Sequence, residues 1–386
     1  MSQNNDSLAL LPSGFVDLLP PDAAKEAQAI TMLMARFEAF GYNRVKPPFL
    51  EFEESLLGPG PGSFLAPDTF RLMDPVSHRM VGMRADITAQ IARIASSRLV
   101  NEPRPLRLTY ANDVLRTRSS QLRTERQFCQ VGCEIIGDGS VDTDVEICIL
   151  ALIGLKDIGI EDITIDLNIP GFVARLMEGE DTDEDMRAKI EKAMHQRDRD
   201  VLEGLSMPVA TKIAQAMDAA GGAEEALQAL EAMNLKGDLV KDIETLRSVY
   251  KEINKALHQL DVKGVCLTLD VLDQPGFEYH KGLGFTLFST YVHGELGRGG
   301  CYDVRFGEND ETETARGFTL YMDTIRKALA TKDTPPKIYV SSTESWSVMQ
   351  DLQNEGWVVV RGAQGCDFPD GCSHQYKDGE VVEIKE

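Results

Sequence analysis

Two strand-rich stretches are separated by a long helical one, and this ordering constrains the fold more than any other feature of the chain. From Gly171 to about Gln259 the sequence is dense in Ala, Glu, Lys, Leu and Met and poor in aromatic residues. It reads as consecutive helices, with Gly221 and Gly222 punctuating one pair. Upstream, TFRLMDP and HRMVGMRADIT read as strands around a Pro-Val-Ser turn. RPLRLTYANDVLRT and RQFCQVGCEIIG read as strands on either side of a polar, arginine-containing loop. Downstream, VCLTLDVLD, FEYHKGLGFTLFSTYV, GRGGCYDVRFG and RGFTLYMD resume the strands. Strands flanking an internal helical block predict an α+β fold with a mostly antiparallel sheet. The division that follows is a core over residues 1–170 and 260–333, a helical insertion over 171–259, and a short C-terminal lobe over 334–386.

Helices also frame the first half. Ala27, Ile30, Leu33, Met34 and Phe37 recur at three- and four-residue spacing between Pro21 and Phe40, which gives one apolar face, and Gly41 closes the segment. ITAQIARIASSRL and residues 142–158 read as helices, and ITIDLNIP as a strand. YNRVKPPFLEFEE is extended and broken by Pro47 and Pro48. The tail holds one strand–helix–strand unit: KIYVSS, a helix ending near Gly356, then WVVVR. The run Gly297-Arg298-Gly299-Gly300 has the glycines of a phosphate loop but lacks its lysine and following helix, so it reads as a tight turn before a strand.

Composition removes several classes of function. Hydrophobic content of 42% and charged content of 26% are those of an ordinary globular chain. No apolar run approaches the roughly 18 residues that signal a membrane span. The opening MSQNNDSLAL has no basic start followed by an apolar stretch, so no signal peptide is read and the cytoplasm is the expected location. Seven scattered cysteines, an odd number, argue against a disulfide framework. No two close ligand pairs have zinc-site spacing, so neither a metal nor another cofactor is expected. A net charge of −22 weighs against nucleic acid as the partner.

A set of motifs in fixed order carries a family resemblance. GFVDLLP and KPPFLEF open the chain, the second like class II motif 1, where a proline begins the dimer-forming strand. MRADITAQIAR and RQFCQVGCEIIG follow, and FEYHKGLGFTLF with GGCYD lies beyond the helical block. From Gly14 to Arg326 the chain resembles histidyl-tRNA synthetase and, more closely, its regulatory paralogue in histidine biosynthesis. The resemblance implies a class II aminoacyl-tRNA synthetase-like core. It also implies a histidine site formed by Asp86, Thr88, Arg116, Gln130, Glu134, Tyr279, His280 and Tyr302.

The chemistry of those residue types agrees. Asp86 can pair with the ammonium of a free amino acid, with the Thr88 hydroxyl beside it. On a flat strand Gln130 and Glu134 share a face about 13 Å apart, enough to meet opposite ends of one small ligand. Glu134 as a carboxylate accepts an imidazole N–H. Tyr279 and Tyr302 offer hydroxyls, and Arg116 a partner for the carboxylate. The plain alternative is that Gln130 and Glu134 are solvent-facing strand residues.

Other synthetase parts are missing. Motif 2 carries a Phe-Arg-x-Glu-Arg core to hold ATP, and the matching stretch here is Leu115-Arg116-Thr117-Arg118-Ser119, which puts a cation where a carboxylate belongs. Motif 3 ends in Gly-x-Glu-Arg, matched here by Tyr321-Met322-Asp323-Thr324; Arg326 lies two residues beyond, and a shift along one strand face that would recover it is disfavoured because the residues between do not fit. The arginine of the first histidine-specific motif falls on Pro275, and the second tyrosine of the pair is His280. Stabilising charge at a phosphate needs positioned cations, and of the arginines that supply them in the synthetases only the first of motif 2 survives, as Arg116. The tail is too short for an anticodon-binding domain.

The resemblance therefore implies a non-catalytic subunit that binds histidine and regulates the short-form ATP phosphoribosyltransferase catalytic subunit. The implied assembly is a hetero-octamer of four plus four chains, with self-association as a dimer through the motif 1 region and no role for tRNA. An active histidyl-tRNA synthetase or related ligase is the competing reading, and a scaffold with an empty pocket is a third.

Overall fold

The computed structural model describes residues 10–58, 61–120, 123–178, 183–273, 280–306, 311–330, 335–362 and 371–384. The chain folds as a large unit ending at Leu329 and a small one beginning at Ala330. The large unit is built on a nine-stranded sheet. Its strands run in the order Asn43–Arg44, Leu106–Leu115, Gln127–Ile136, Glu311–Tyr321, Gly297–Phe306, His280–Ser289, Ile163–Asn168, Val265–Leu269 and Gly221–Gly222. Only the first pair and the Ile163–Asn168/Val265–Leu269 pair are parallel, so the sheet is mostly antiparallel, as the sequence predicts.

The Gln127–Ile136 strand shows how this sequence divides the sheet into two faces. Nine of its ten residues are buried, the mark of a central strand covered on both sides. Cys129, Val131, Cys133 and Ile135 point to one face. There they join Leu33 and Phe37 of the Asp22–Ala39 helix and Ile147, Leu150 and Leu155 of the Val141–Asp157 helix in the main core. Phe37 meets Phe318 of the neighbouring strand edge-on, with centroids 5.5 Å apart; truncating such a buried ring costs about 3–5 kcal/mol. Gln130 and Glu134 point to the other face, which the Thr88–Ser97 helix closes at one end through Ile87 and Ile91. The buried polar side chains therefore lie on the face opposite the main core, and that face holds the site.

The helices Glu184–His195, Pro208–Ala219, Ala223–Ala232 and Asp238–Gln259 follow the short Phe172–Leu176 helix. Asp183 and Asp198 cap helices by accepting from the backbone N–H of Met186 and Val201. Gly221 and Gly222 do more than separate helices: they pair with Leu269 and Thr268 as the sheet's last edge strand. A separate three-stranded sheet joins Leu50–Phe52, Met80–Met83 and Arg71–Met73.

One sequence reading needs correction. The Gly297–Gly300 run is no turn but the start of the Gly297–Phe306 strand, with Gly297 opposite Leu320 and Gly300 opposite Gly317. Arg326 is on no strand: the chain turns into the Met322–Ala328 helix straight after Tyr321.

In the small unit, Lys337–Ser341 pairs in parallel with Val358–Gly362, and the Trp346–Asn354 helix lies between them in sequence. Ile338, Val340, Met349 and Leu352 form its core. A hairpin of His374–Lys377 and Glu380–Glu383, absent from the sequence reading, adds two strands.

Candidate amino-acid site

Asp86 and Thr88 sit where the chain enters the Thr88–Ser97 helix, and their own backbone fixes them: the Thr88 N–H donates to Asp86 Oδ1 at 2.9 Å. The central strand supplies the next contacts. Gln130 Nε2 donates to Asp86 Oδ2 at 2.8 Å while its Oε1 accepts from the Ile87 N–H at 3.1 Å. Both ends of the Gln130 amide are thereby spent on holding Asp86 in place. The Thr88 hydroxyl donates to Glu134 Oε1 at 3.2 Å, and Tyr302 donates to Glu134 Oε2 at 3.1 Å. Tyr110 lies against the same carboxyl at 3.4 Å and shares a 2.7 Å hydrogen bond with Thr319.

All these side chains are buried, which removes the reading of Gln130 and Glu134 as solvent-facing strand residues. Burial has an electrostatic consequence. Loss of water pushes the Glu134 carboxyl up to about 8 against the pull of the Tyr302 hydroxyl, with the negative charge of Asp86 adding to the rise. Near neutral pH the empty site therefore holds a carboxyl proton. The sheet makes room for Glu134 through Gly317, which lies opposite it: a Cβ on Gly317 would overlap Glu134 Oε2. Only glycine fits there.

These groups open onto a cavity of about 290 Å³, measured out to the solvent at its mouth. Asp86, Thr88, Glu134 and Tyr302 line it together with Arg298, Thr319 and Tyr321. The structure thus brings four of the eight named residues to one cavity. Gln130 lies behind Asp86. Arg116 stands aside, donating through Nε to the Ala85 carbonyl at 3.2 Å. The His280 backbone is opposite Tyr302 across the strand pair, and its side chain lies outside the described residues, as do Tyr279 and Pro275. Tyr110, Thr319, Tyr321 and Arg298 were not singled out as site residues from sequence.

The positions that differ from the synthetase motifs are engaged elsewhere. Arg118 is exposed and pairs with Asp68 at 3.4 Å. Asp323 is buried and accepts from Arg123 at 3.1 Å, and Thr324 is buried beside it. Arg326 binds Glu125 at 2.8 Å and Glu26 at 3.2 Å. Among the described residues no cluster of His, Cys, Asp or Glu is arranged to hold a metal ion, and no helix is long and apolar enough to cross a membrane.

Known proteins fit this picture. The sequence model of the histidyl-tRNA synthetase family matches residues 14–325. An ATP phosphoribosyltransferase regulatory subunit from Rhodospirillum centenum is 41% identical over 386 residues, covering 98% of this chain and 97% of its own. Another from Rhodospirillum rubrum is 41% identical over 352 residues, covering 91% and 90%. The fold matches a solved ATP phosphoribosyltransferase regulatory subunit/histidyl-tRNA synthetase from Bacillus halodurans C with a TM-score of 0.79 at 21% identity, covering 95% of both chains. Near-full-length identity at this level, on the synthetase-like sheet described above, places the chain: it belongs to the ATP phosphoribosyltransferase regulatory subunit family, within the wider histidyl-tRNA synthetase family.

Proposed function

We propose that this chain is a histidine-sensing, non-catalytic subunit of an ATP phosphoribosyltransferase, acting in the cytoplasm at the first step of histidine biosynthesis. The observation that carries the reading is the buried set Asp86, Thr88, Glu134 and Tyr302, tied together and opening on one cavity. Asp86 receives the ammonium of histidine through charge-assisted hydrogen bonds. Glu134, oriented by Tyr302 and Thr88, takes the imidazole.

The relatives' name supports a catalytic partner; in this reading the partner is the short-form ATP phosphoribosyltransferase chain, in a four-plus-four octamer whose regulatory chains pair through the motif 1 region. Histidine then acts as feedback inhibitor because one state of the assembly binds it better than another; equal binding to both would shift nothing. Calorimetric titration of the purified chain with histidine tests the pocket: saturable heat that Glu134→Ala removes is the expected result, and no heat from either protein contradicts it. Pyrophosphate exchange with histidine and ATP tests the enzyme reading. Turnover there would make the chain a ligase.

A further inference from the structure

Holding a free amino acid takes a cation for its α-carboxylate, and the motifs point to Arg116 for that role. The geometry does not. Arg116 is turned to the Ala85 carbonyl, with its guanidinium carbon 5.3 Å from the centre of the Phe128 ring, and it is not among the residues lining the cavity. Among the described residues that do line it, Arg298 is the basic side chain, facing a set whose acidic members are Asp86 and Glu134.

Strand register gives the span. Arg298 is opposite Thr319, and Thr319 is opposite Gly132. Glu134 is opposite Gly317, and Gly317 is opposite Gly300. Arg298 and Glu134 are therefore two strands apart and two residues out of line. At about 4.8 Å per strand and 3.4 Å per residue their Cα atoms are about 12 Å apart. Both side chains rise from the same face; the Glu134 carboxyl lies over Gly317, and Gly300 on the Arg298 strand carries no side chain to fill the space beside it. Gly299, on the opposite face of the strand, leaves room for the Phe285 ring, which a Cβ there would overlap.

The guanidinium is held in place from behind. Arg298 Nε pairs with Glu295, which accepts from Arg123 Nη2 at 3.2 Å. Arg123 also binds Asp323 at 3.1 Å and stacks 3.7 Å above Tyr321, itself part of the cavity wall. An arginine presents its N–H donors in a rigid fork that matches a carboxylate bidentately.

We propose that Arg298 binds the α-carboxylate of the bound amino acid, across the cavity from Glu134. The assignment rests on reading the cavity as a histidine site, and the test separates the two. The whole protein and its variants are titrated by calorimetry with histidine and with histamine, which keeps the imidazole and ammonium but has no carboxylate. The unaltered protein should prefer histidine at least about tenfold. Arg298→Gln should weaken histidine by about 10–150-fold, the range of a charge-assisted hydrogen bond, and leave histamine within about twofold. The preference then collapses while the fold is vouched for by histamine binding, and Arg298→Lys should restore part of it. Equal weakening of both ligands by Arg298→Gln, no change in either, or collapse of the preference in Arg116→Gln instead would each overturn the assignment. Failure of the unaltered protein to bind either ligand would sink the histidine-site reading itself, and this assignment with it.

Discussion

Replacing Glu134 by glutamine keeps the shape of the side chain and removes its titration, which makes the proton a readout of the site. In the empty cavity burial pushes Glu134 up to about 8, while a free imidazole titrates near roughly 6.5. Between those values the free partners hold one proton, on Glu134. The complex also holds one, shared between the carboxyl and the imidazole, so binding in this window moves no net proton and the affinity is flat. Above about 8 the free partners hold none, the complex must take one up, and affinity falls by up to about tenfold per pH unit. Below about 6.5 the partners hold two, one must leave, and affinity falls again. Glu134→Gln should weaken histidine at pH 7 by about 10–150-fold and lose the part of the alkaline fall that Glu134 contributes, leaving only the part due to the α-ammonium of the ligand. Calorimetry in buffers of different ionisation enthalpy counts the protons directly: near zero at pH 7.3 for the unaltered protein, and at pH 9 close to one more taken up by the unaltered protein than by Glu134→Gln. Proton release on binding at pH 7.3, or equal proton uptake by the two proteins at pH 9, would refute the reasoning.

Other perturbations follow from the same geometry. The folded chain keeps the Glu134 proton that the unfolded chain gives up above its ordinary value of 4.5. Stability without ligand should therefore decline as pH rises from about 4.5 to about 8, by on the order of a few kcal/mol, and thermal melts of Glu134→Gln should lack that component. Gly317→Ala forces Glu134 out of its place, so histidine binding should vanish and urea unfolding should show about 1–3 kcal/mol lost to overpacking; unchanged binding would mean that Glu134 is not held as described. Arg123→Ala strands the buried Asp323 without its partner, at a cost of about 3–5 kcal/mol in the same assay, and Asp323→Ala added to it should recover part of the loss.

Much of this architecture is legible in the sequence, and the exceptions have physical causes. Long, strongly patterned elements such as Leu106–Leu115, Gln127–Ile136 and the Asp22–Ala39 helix fall where periodicity places them. Asp86, Thr88, Glu134 and Tyr302 were found through motif order, since nothing local distinguishes a buried Glu134 from an exposed one. Spacing along one strand suggested that Gln130 and Glu134 reach two ends of a ligand, but Asp86 arrives from another element and takes both ends of the Gln130 amide. Arg298 was hidden because glycines on either side read as a turn, whereas here they permit close packing inside a sheet. Tyr110, Thr319 and Tyr321 look like ordinary strand residues, and only register across three strands shows them meeting Glu134 and the cavity. Arg326 shows the converse: a residue near the right place in sequence is carried away by a helix to Glu125 and Glu26.

The central claim is that histidine acts on the catalytic reaction through this chain. The most direct test is the initial rate of the short-form ATP phosphoribosyltransferase catalytic subunit, measured across a histidine titration alone, with this chain, and with its Glu134→Gln variant. The account predicts that the assembly is inhibited by histidine and that the variant shifts the inhibition midpoint upward by at least about tenfold. An inhibition curve that is the same in all three mixtures would contradict it.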